Sequence, residues 1–317
     1  MGGAVTHELA AAVSDAGGMG MLPLTWATDE EIVDLIRQTS TLTSKPFGIN
    51  LGLAWDQRHR LDCALTAGAR VISLFWGDPS ALIPQAHASG AIVLVSVGSA
   101  NEAADAVESG ADVVVAQGWE AGGHVWSTVS TLALVPRVVD AVAPVPVIAA
   151  GGIADGRGLA AVIALGAAGA WIGTRFLATS EAVIHPDYQQ RLLAATETDT
   201  FFGTLFDVGW PDAPHRVLRN STVEAWEMAG RPQAGNRPGE TDTPAAMTDG
   251  APINRYASST PHAGMTGDTE PLSNWAGQGV GLVTRVQPAA EVIHEIVSDA
   301  EQVLRRAVGA LTASGPA

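Results

Sequence analysis

An α/β barrel of the (β/α)8 type, lacking its first strand and carrying a smaller inserted region, is the architecture that the 317-residue sequence predicts. Three observations carry it. A unit recurs: TAGARVISLFWG (66–77), ASGAIVLVSVG (88–98), ESGADVVVAQG (108–118) and LGAAGAWIGT (165–174) each close a helical stretch at a glycine and run into an apolar strand. Gly68, Gly90 and Gly110 are spaced by about 20 residues, the length of one short βα unit. The strands are continuously apolar rather than alternating, as a sheet covered on both faces requires.

The elements read in order. Thr6 opens a first helix through HELAAAV, and GMGML (18–22) is a strand. Thr28 with Glu31, and Ser99 with Glu102, have the spacing of capping boxes. KPFGINL (45–51) and PVIAA (146–150) are strands, and Asp155 caps a helix whose apolar face holds Leu159, Val162 and Ile163. That makes seven strands. The missing eighth is expected before Met1, because MGG leads directly into the Thr6 helix; Met1 then reads as an internal methionine. Beyond residue 200 the pattern changes. Segment 230–271 is rich in Gly, Pro, Thr and Asp and reads as a lid, a binding loop or a disordered stretch. Residues 288–312 form a final amphipathic helix with Ile293, Ile296, Ala300, Val303 and Ala307 on one side. The expected division is a barrel over 1–200 and 275–317 and an inserted substrate or lid region over 201–274.

Composition removes several classes. A net charge of −16 argues against a generic nucleic-acid surface, which needs clustered Lys and Arg. The single cysteine, Cys63, forms no intrachain disulfide and no zinc cluster; it reads as buried filler and fits a reducing cytoplasm. The N-terminus lacks the pattern of a signal peptide. The run LAAVIALGAAGAWIG (159–173) is interrupted by glycines and short of the roughly 20 residues of a membrane span. No membrane partner is therefore expected.

Barrel sites lie at the C-terminal ends of the strands. There the sequence puts Asn50, Gln117, Gly122-Gly123-His124, Gly151-Gly152 and Gly173-Thr174. Counting the missing strand, the last two glycine turns follow strands seven and eight, where barrels often bind phosphate; backbone N–H groups and a helix N-terminus suit an anion. The plainer alternative is that these glycines only permit tight turns. Asn50 and Gln117 suit the edge of a flat heteroaromatic ligand such as a flavin, or serve ordinary strand-end hydrogen bonds. His124 is the only histidine at a predicted strand end, the other seven falling on helices or in late loops. Gly122 and Gly123 are read as clearing space for a ligand beside it. With no HExxH motif, no Ser-His-Asp order and no carboxylate pair at suitable strand ends, hydrolytic and metal-dependent chemistry is not expected.

The stretches HELAAAVSDAGGMGML, KPFGINL, AQGWEAGGHVW, PVIAAGGIADGRG, GAWIGTRFLAT and NWAGQGVGLV together resemble the nitronate monooxygenase (2-nitropropane dioxygenase) family over nearly the whole chain. The resemblance implies an FMN-dependent barrel that oxidises alkyl nitronates with O2 to a carbonyl compound and nitrite. It implies that His124 is the catalytic base, and that Asn50, Gln117, Gly122, Gly123, Gly151, Gly152, Gly173 and Thr174 form the cofactor-binding set. A reductase using NAD(P)H on enoyl thioesters or quinones shares much of the pattern and is the alternative. The implied partners are a small-molecule substrate and O2; a homodimer is compatible with the sequence. Two departures stand out: the chain starts at the Met of the family's P-M-x-G motif, and Val125-Trp126 follows the histidine where a glycine two residues on is commoner, so Trp126 is expected to narrow the pocket.

Overall fold

The computed structural model describes residues 2–313, so Met1 lies outside the described residues. The strands are β1 (Gly20–Pro23), β2 (Phe47–Gly52), β3 (Val71–Phe75), β4 (Ile92–Val97), β5 (Val113–Gln117), β6 (Gly123–His124), β7 (Val147–Ala150), β8 (Gly169–Trp171), β9 (Thr200–Gly203) and β10 (His215–Leu218). Seven of them form one parallel sheet in the order β1-β2-β3-β4-β5-β7-β8. Among the described residues nothing pairs with the outer edges of β1 and β8, so the sheet is an open half-barrel.

The helices of the barrel half are α1 (His7–Asp15), α2 (Asp29–Leu42), α3 (Arg58–Thr66), α4 (Ile83–Ala88), α5 (Ala100–Glu108), α6 (Thr131–Val142) and α7 (Gly156–Ala164). Their starts are set as local chemistry demands. Thr6 caps α1, Thr28 and Glu31 close a full capping box on α2, and Asp155 caps α7 through the Arg157 and Gly158 N–H groups. The Ser99 box is only half formed. Ser99 accepts the Glu102 N–H, but the Glu102 carboxylate turns instead to the Gly98 N–H and the Trp126 indole. The helix-ending glycines Gly68, Gly90, Gly110 and Gly166 all have positive φ, a conformation that costs glycine little.

Side chains alternate between the two faces of the sheet. Ile49, Ile72, Val93 and Val114 point outward into the main core with Ile32 and Ile36 of α2 and Leu61 of α3. Val71, Leu94, Val115 and Ala150 point inward with Trp171. The continuous apolar strands are thus explained by two buried faces.

The chain continues with α8 (Thr174–Leu177), α9 (Pro186–Ala194), α10 (Ser221–Met228) and α11 (Ala289–Ala313). α11 lies on α7 and α1, burying Ala289, Val292, Ile296 and Ala300, whereas Ala307, expected on the same side, is exposed. The apolar stripe ends where α11 runs past the elements it covers. Segment 230–271 carries a small sheet of β11 (Ala245–Ala246), β12 (Pro252–Ile253) and β13 (Thr266–Gly267), with β11 in the middle. Arg237 anchors that segment by ion pairs to Asp207 (2.9 Å) and Glu240 (2.7 Å). No helix among the described residues is long and apolar enough to cross a membrane.

Candidate active site

β5 ends at Gln117, and both the nitrogen and the oxygen of its carboxamide bond the loop that follows. Nε2 donates to the His124 carbonyl (3.1 Å) and Oε1 accepts the Trp126 N–H (2.9 Å). Gln117 therefore brackets the histidine-bearing turn. The strand-end alternative considered from sequence describes its bonds better than a ligand contact does. Asn50 faces the inner side of the sheet and donates to Ser73 Oγ on β3 (2.9 Å).

The two glycines before the histidine do different things. A side chain on Gly122 would start 2.3 Å from the Gly277 nitrogen and 2.5 Å from the Ala276 carbonyl carbon. Gly122 thus permits close backbone packing and does not clear room for a ligand, contrary to the expectation. Gly123 has φ +72° and open space where a side chain would be.

β6 then pairs antiparallel with β10, setting His124 opposite His215 and Gly123 opposite Arg216. The sequence reading had left His215 among histidines on helices or late loops; it lies on a strand, wholly buried, 5.7 Å from the His124 ring. Its Nδ1 lies 2.8 Å from the Ala213 carbonyl and its Nε2 accepts the Phe206 N–H at 3.2 Å, so Nδ1 carries the proton. Burial pushes its pKa down to about 4. Arg216, 2% exposed, donates to the Trp119 carbonyl (2.9 Å) and lies 4.2 Å over the Trp119 ring. It ties down the start of the loop that carries His124.

His124 is enclosed by rings. It stacks on Trp210 at 3.9 Å with planes 29° apart, and Trp275 and Trp76 lie 5.2 and 5.7 Å away. Nε2 is 3.3 Å from Ser258 Oγ, a hydroxyl supplied by segment 230–271. Burial, helped by the facing His215, lowers the His124 pKa to about 3. The imidazole is therefore neutral throughout the physiological range.

Trp126 is not alone in narrowing the mouth. The turns after β1, β2, β3 and β6 bring Trp26, Trp55, Trp76 and Trp126 to the same end of the sheet. Trp26, Trp55 and Trp76 meet Trp210 at 6.1, 4.6 and 5.2 Å, and Trp126 meets Trp76 at 4.9 Å. Trp76 holds φ +68°, costly for a bulky residue and sustained by the packing around it. Sequence reasoning missed Trp76, Trp210, Trp275, Ser258, His215 and Arg216. The available signal was nine Trp against two Tyr and six Phe.

Next to β5 in the sheet, β7 and β8 run side by side, Ala150 beside Trp171, so their glycine turns are neighbours. Gly151 and Gly152 have φ +107° and +71°. The backbone N–H groups of Gly151, Gly152 and Gly173 donate to nothing among the described residues. A side chain on Gly151 would start 2.9 Å from the Gly118 carbonyl oxygen. One expectation is corrected here: the N-terminus of α7 already holds the Asp155 carboxylate, which Arg157 pairs at 2.5 Å, so its dipole is not free for an outside anion. The Thr174 hydroxyl accepts the Gly277 N–H (3.0 Å), tying down the 276–277 segment that packs on Gly122.

These features define an α/β-barrel protein whose candidate site lies at the C-terminal ends of its strands. The chain belongs to the nitronate monooxygenase family, whose model matches residues 1–59 and 52–299, and it is an oxidoreductase of that family. It is 41% identical over 231 residues to a (3aS,4S,5R,7aS)-5-hydroxy-7a-methyl-1-oxo-octahydro-1H-indene-4-carboxyl-CoA dehydrogenase of Rhodococcus jostii, covering 73% of this chain and 64% of that one. The protein of the same name from Mycobacterium tuberculosis is 36% identical over 95% of this chain and 91% of its own. A nitronate monooxygenase of Paraburkholderia phytofirmans is 30% identical over 96% of this chain and 92% of its own. Among solved structures, FabK from Thermotoga maritima superposes with a TM-score of 0.81 at 31% identity, covering 98% of this chain and 93% of that one. The nitroalkane oxidase from Streptomyces ansochromogenes superposes with 0.75 at 26%, covering 97% and 95%.

Proposed function

We propose that the protein oxidises nitronates with O2 to a carbonyl compound and nitrite, using FMN held on the inner face of the half-barrel. The residues fit that group. The unpartnered N–H groups of Gly151, Gly152 and Gly173 suit a phosphate, and the inner face offers Asn50 and Ser73 beside apolar Val115 and Ala150 for a flat ring. Bound there, the flavin supplies two-electron oxidation of the substrate and passage of the electrons to O2.

The carrying observation is the state of His124: neutral, hydrogen-bonded to Ser258, with a pKa of about 3. A neutral imidazole carries a lone pair on one ring nitrogen, yet this one is a weak base. Each unit by which a carbon acid's pKa exceeds that of the base costs about 1.4 kcal/mol in proton transfer. A substrate that arrives as a carbanion equivalent avoids that cost, and a nitronate is one. Nitronates are therefore the expected substrates ahead of neutral nitroalkanes, with His124 donating a hydrogen bond to the anion or taking the proton where one must be removed. The test is nitrite release by the flavin-loaded protein from preformed propyl-2-nitronate under air. Absence of nitrite with flavin bound overturns the reading.

A second reading rests on the relatives named as indene-carboxyl-CoA dehydrogenases: redox chemistry on a CoA thioester, or reduction of enoyl thioesters or quinones by NAD(P)H. Anaerobic mixing separates the two. Bleaching of the flavin by NAD(P)H, with no bleaching by nitronate, selects the second.

A further inference from the structure

We propose that the site takes substrates carried on a flat, unsaturated ring, bound by stacking on a preformed tryptophan wall. This deepens the nitronate reading and rests on the same site. The wall is contiguous: Trp26, Trp55 and Trp76 meet buried Trp210, which itself stacks on His124, and Trp126 extends it through Trp76. Two of its rings face solvent although indoles bury well, Trp26 being 56% and Trp126 40% exposed. A concentrated exposed aromatic surface beside a site marks a place of recognition. The rings are not needed to fill the apolar faces of the sheet, although the Trp126 indole also donates to Glu102 of α5. They stand on turns at the mouth and take no part in the core of the half-barrel.

The geometry selects the ligand. Trp26, Trp55 and Trp210 meet one another at interplanar angles of 64–76°, edge against face. Rings locked in this way leave outer faces for a plane to lie on. They do not form the closed box of faces that grips a point-like ammonium. Trp210 is a fixed hub and no gate, because displacing it would forfeit its contacts with Trp26, Trp55, Trp76 and His124 together. Through Trp210 the wall is continuous with the imidazole of His124. A short alkyl chain covers only part of that surface.

The test is a binding comparison on the flavin-loaded protein by calorimetry. Its probes are naphthalene-2-carboxamide and its saturated counterpart decahydronaphthalene-2-carboxamide, which match in apolar bulk but not in π-character. We expect the naphthalene to bind at least about tenfold more tightly. Trp26→Ala and Trp126→Ala each weaken it by about 3- to 10-fold, and Trp126→Phe restores the ring and most of the affinity. Both positions are solvent-exposed, and far-UV circular dichroism verifies that the variants fold. Equal affinity for the two probes overturns the proposal, as does unchanged affinity in both alanine variants. Tetramethylammonium binding more tightly than the naphthalene also overturns it. Sedimentation covers the rival occupant: a dimer that dissociates on Trp26→Ala makes the wall a subunit contact and overturns the proposal. Ring preference without nitrite release sinks the nitronate reading alone, and nitrite release without ring preference sinks the wall alone.

Discussion

Two adjacent regions at the C-terminal edge of the open sheet, the histidine turn after β5 and the glycine turns after β7 and β8, are built by opposite means. At the β5 side, the histidine turn is crowded with side chains: indoles, two imidazoles and a serine hydroxyl, with the Gln117 carboxamide spent on holding the loop. At the β7–β8 side, the turns offer almost no side chains and leave backbone N–H groups unpartnered. A backbone site is blind to substrate variety and suits an invariant group such as a phosphate. A side-chain site is where specificity can vary. On the function proposed above, the glycine turns retain the cofactor and the histidine turn chooses the substrate, and each half of that proposal can be broken separately.

The sharpest separation is expected from His124→Ala. Turnover of neutral nitroalkanes falls by roughly 10²–10⁴-fold, nitronate turnover falls less, and flavin content is unchanged. Equal losses on both substrates remove the base assignment. Acid comes next. His124 and His215 have folded pKa values of about 3 and 4, below the unfolded value near 6.5, so the unfolded chain binds protons first. The stability these neutral rings contribute is whole above pH 6.5 and is lost progressively as pH falls toward 4 for His215 and toward 3 for His124. At pH 5 each costs about 2 kcal/mol, read as a lowered denaturation midpoint. A His215→Phe variant that loses as much stability between pH 7 and 5 as the parent breaks this account.

Gly151→Ala probes the glycine turns. The substitution forces a side chain into φ +107° and toward the Gly118 carbonyl, costing about 1–3 kcal/mol of stability. Flavin retention, measured by visible absorbance after dialysis, drops, while binding of the naphthalene probe holds. Loss of both together would erase the division of labour. The smallest effect is expected from Gln117→Leu, which removes the bracket on the histidine turn at a net cost of about 1 kcal/mol per lost bond. KM for nitronate rises while flavin content stays constant. A change in flavin content instead would return Gln117 to the cofactor side.

The glycine turns were legible in the chain because their signal is local. Gly151-Gly152 and Gly173-Thr174 sit directly after recognisable strands, and a positive φ is a property of one residue and its neighbours. The βα alternation was legible for the same reason, since capping residues and helix-ending glycines act over three or four positions. Gly122 was misread because its constraint comes from Ala276 and Gly277, more than 150 positions away. Glu102 was half misread because the Trp126 indole competes for its carboxylate.

Seven apolar strands, their capped helices, the turns that end them and the one histidine at a strand end follow from the order of residues alone, because hydrophobic burial and backbone capping are written at short range. Which groups surround that histidine does not. Trp76, Trp210, Ser258 and His215 come from separate turns and strands, and only the closing of the half-barrel and the pairing of β6 with β10 bring them around one imidazole. The depressed pKa of His124 arises from that enclosure, since desolvation is a property of the assembled surroundings and not of a residue's place in the chain.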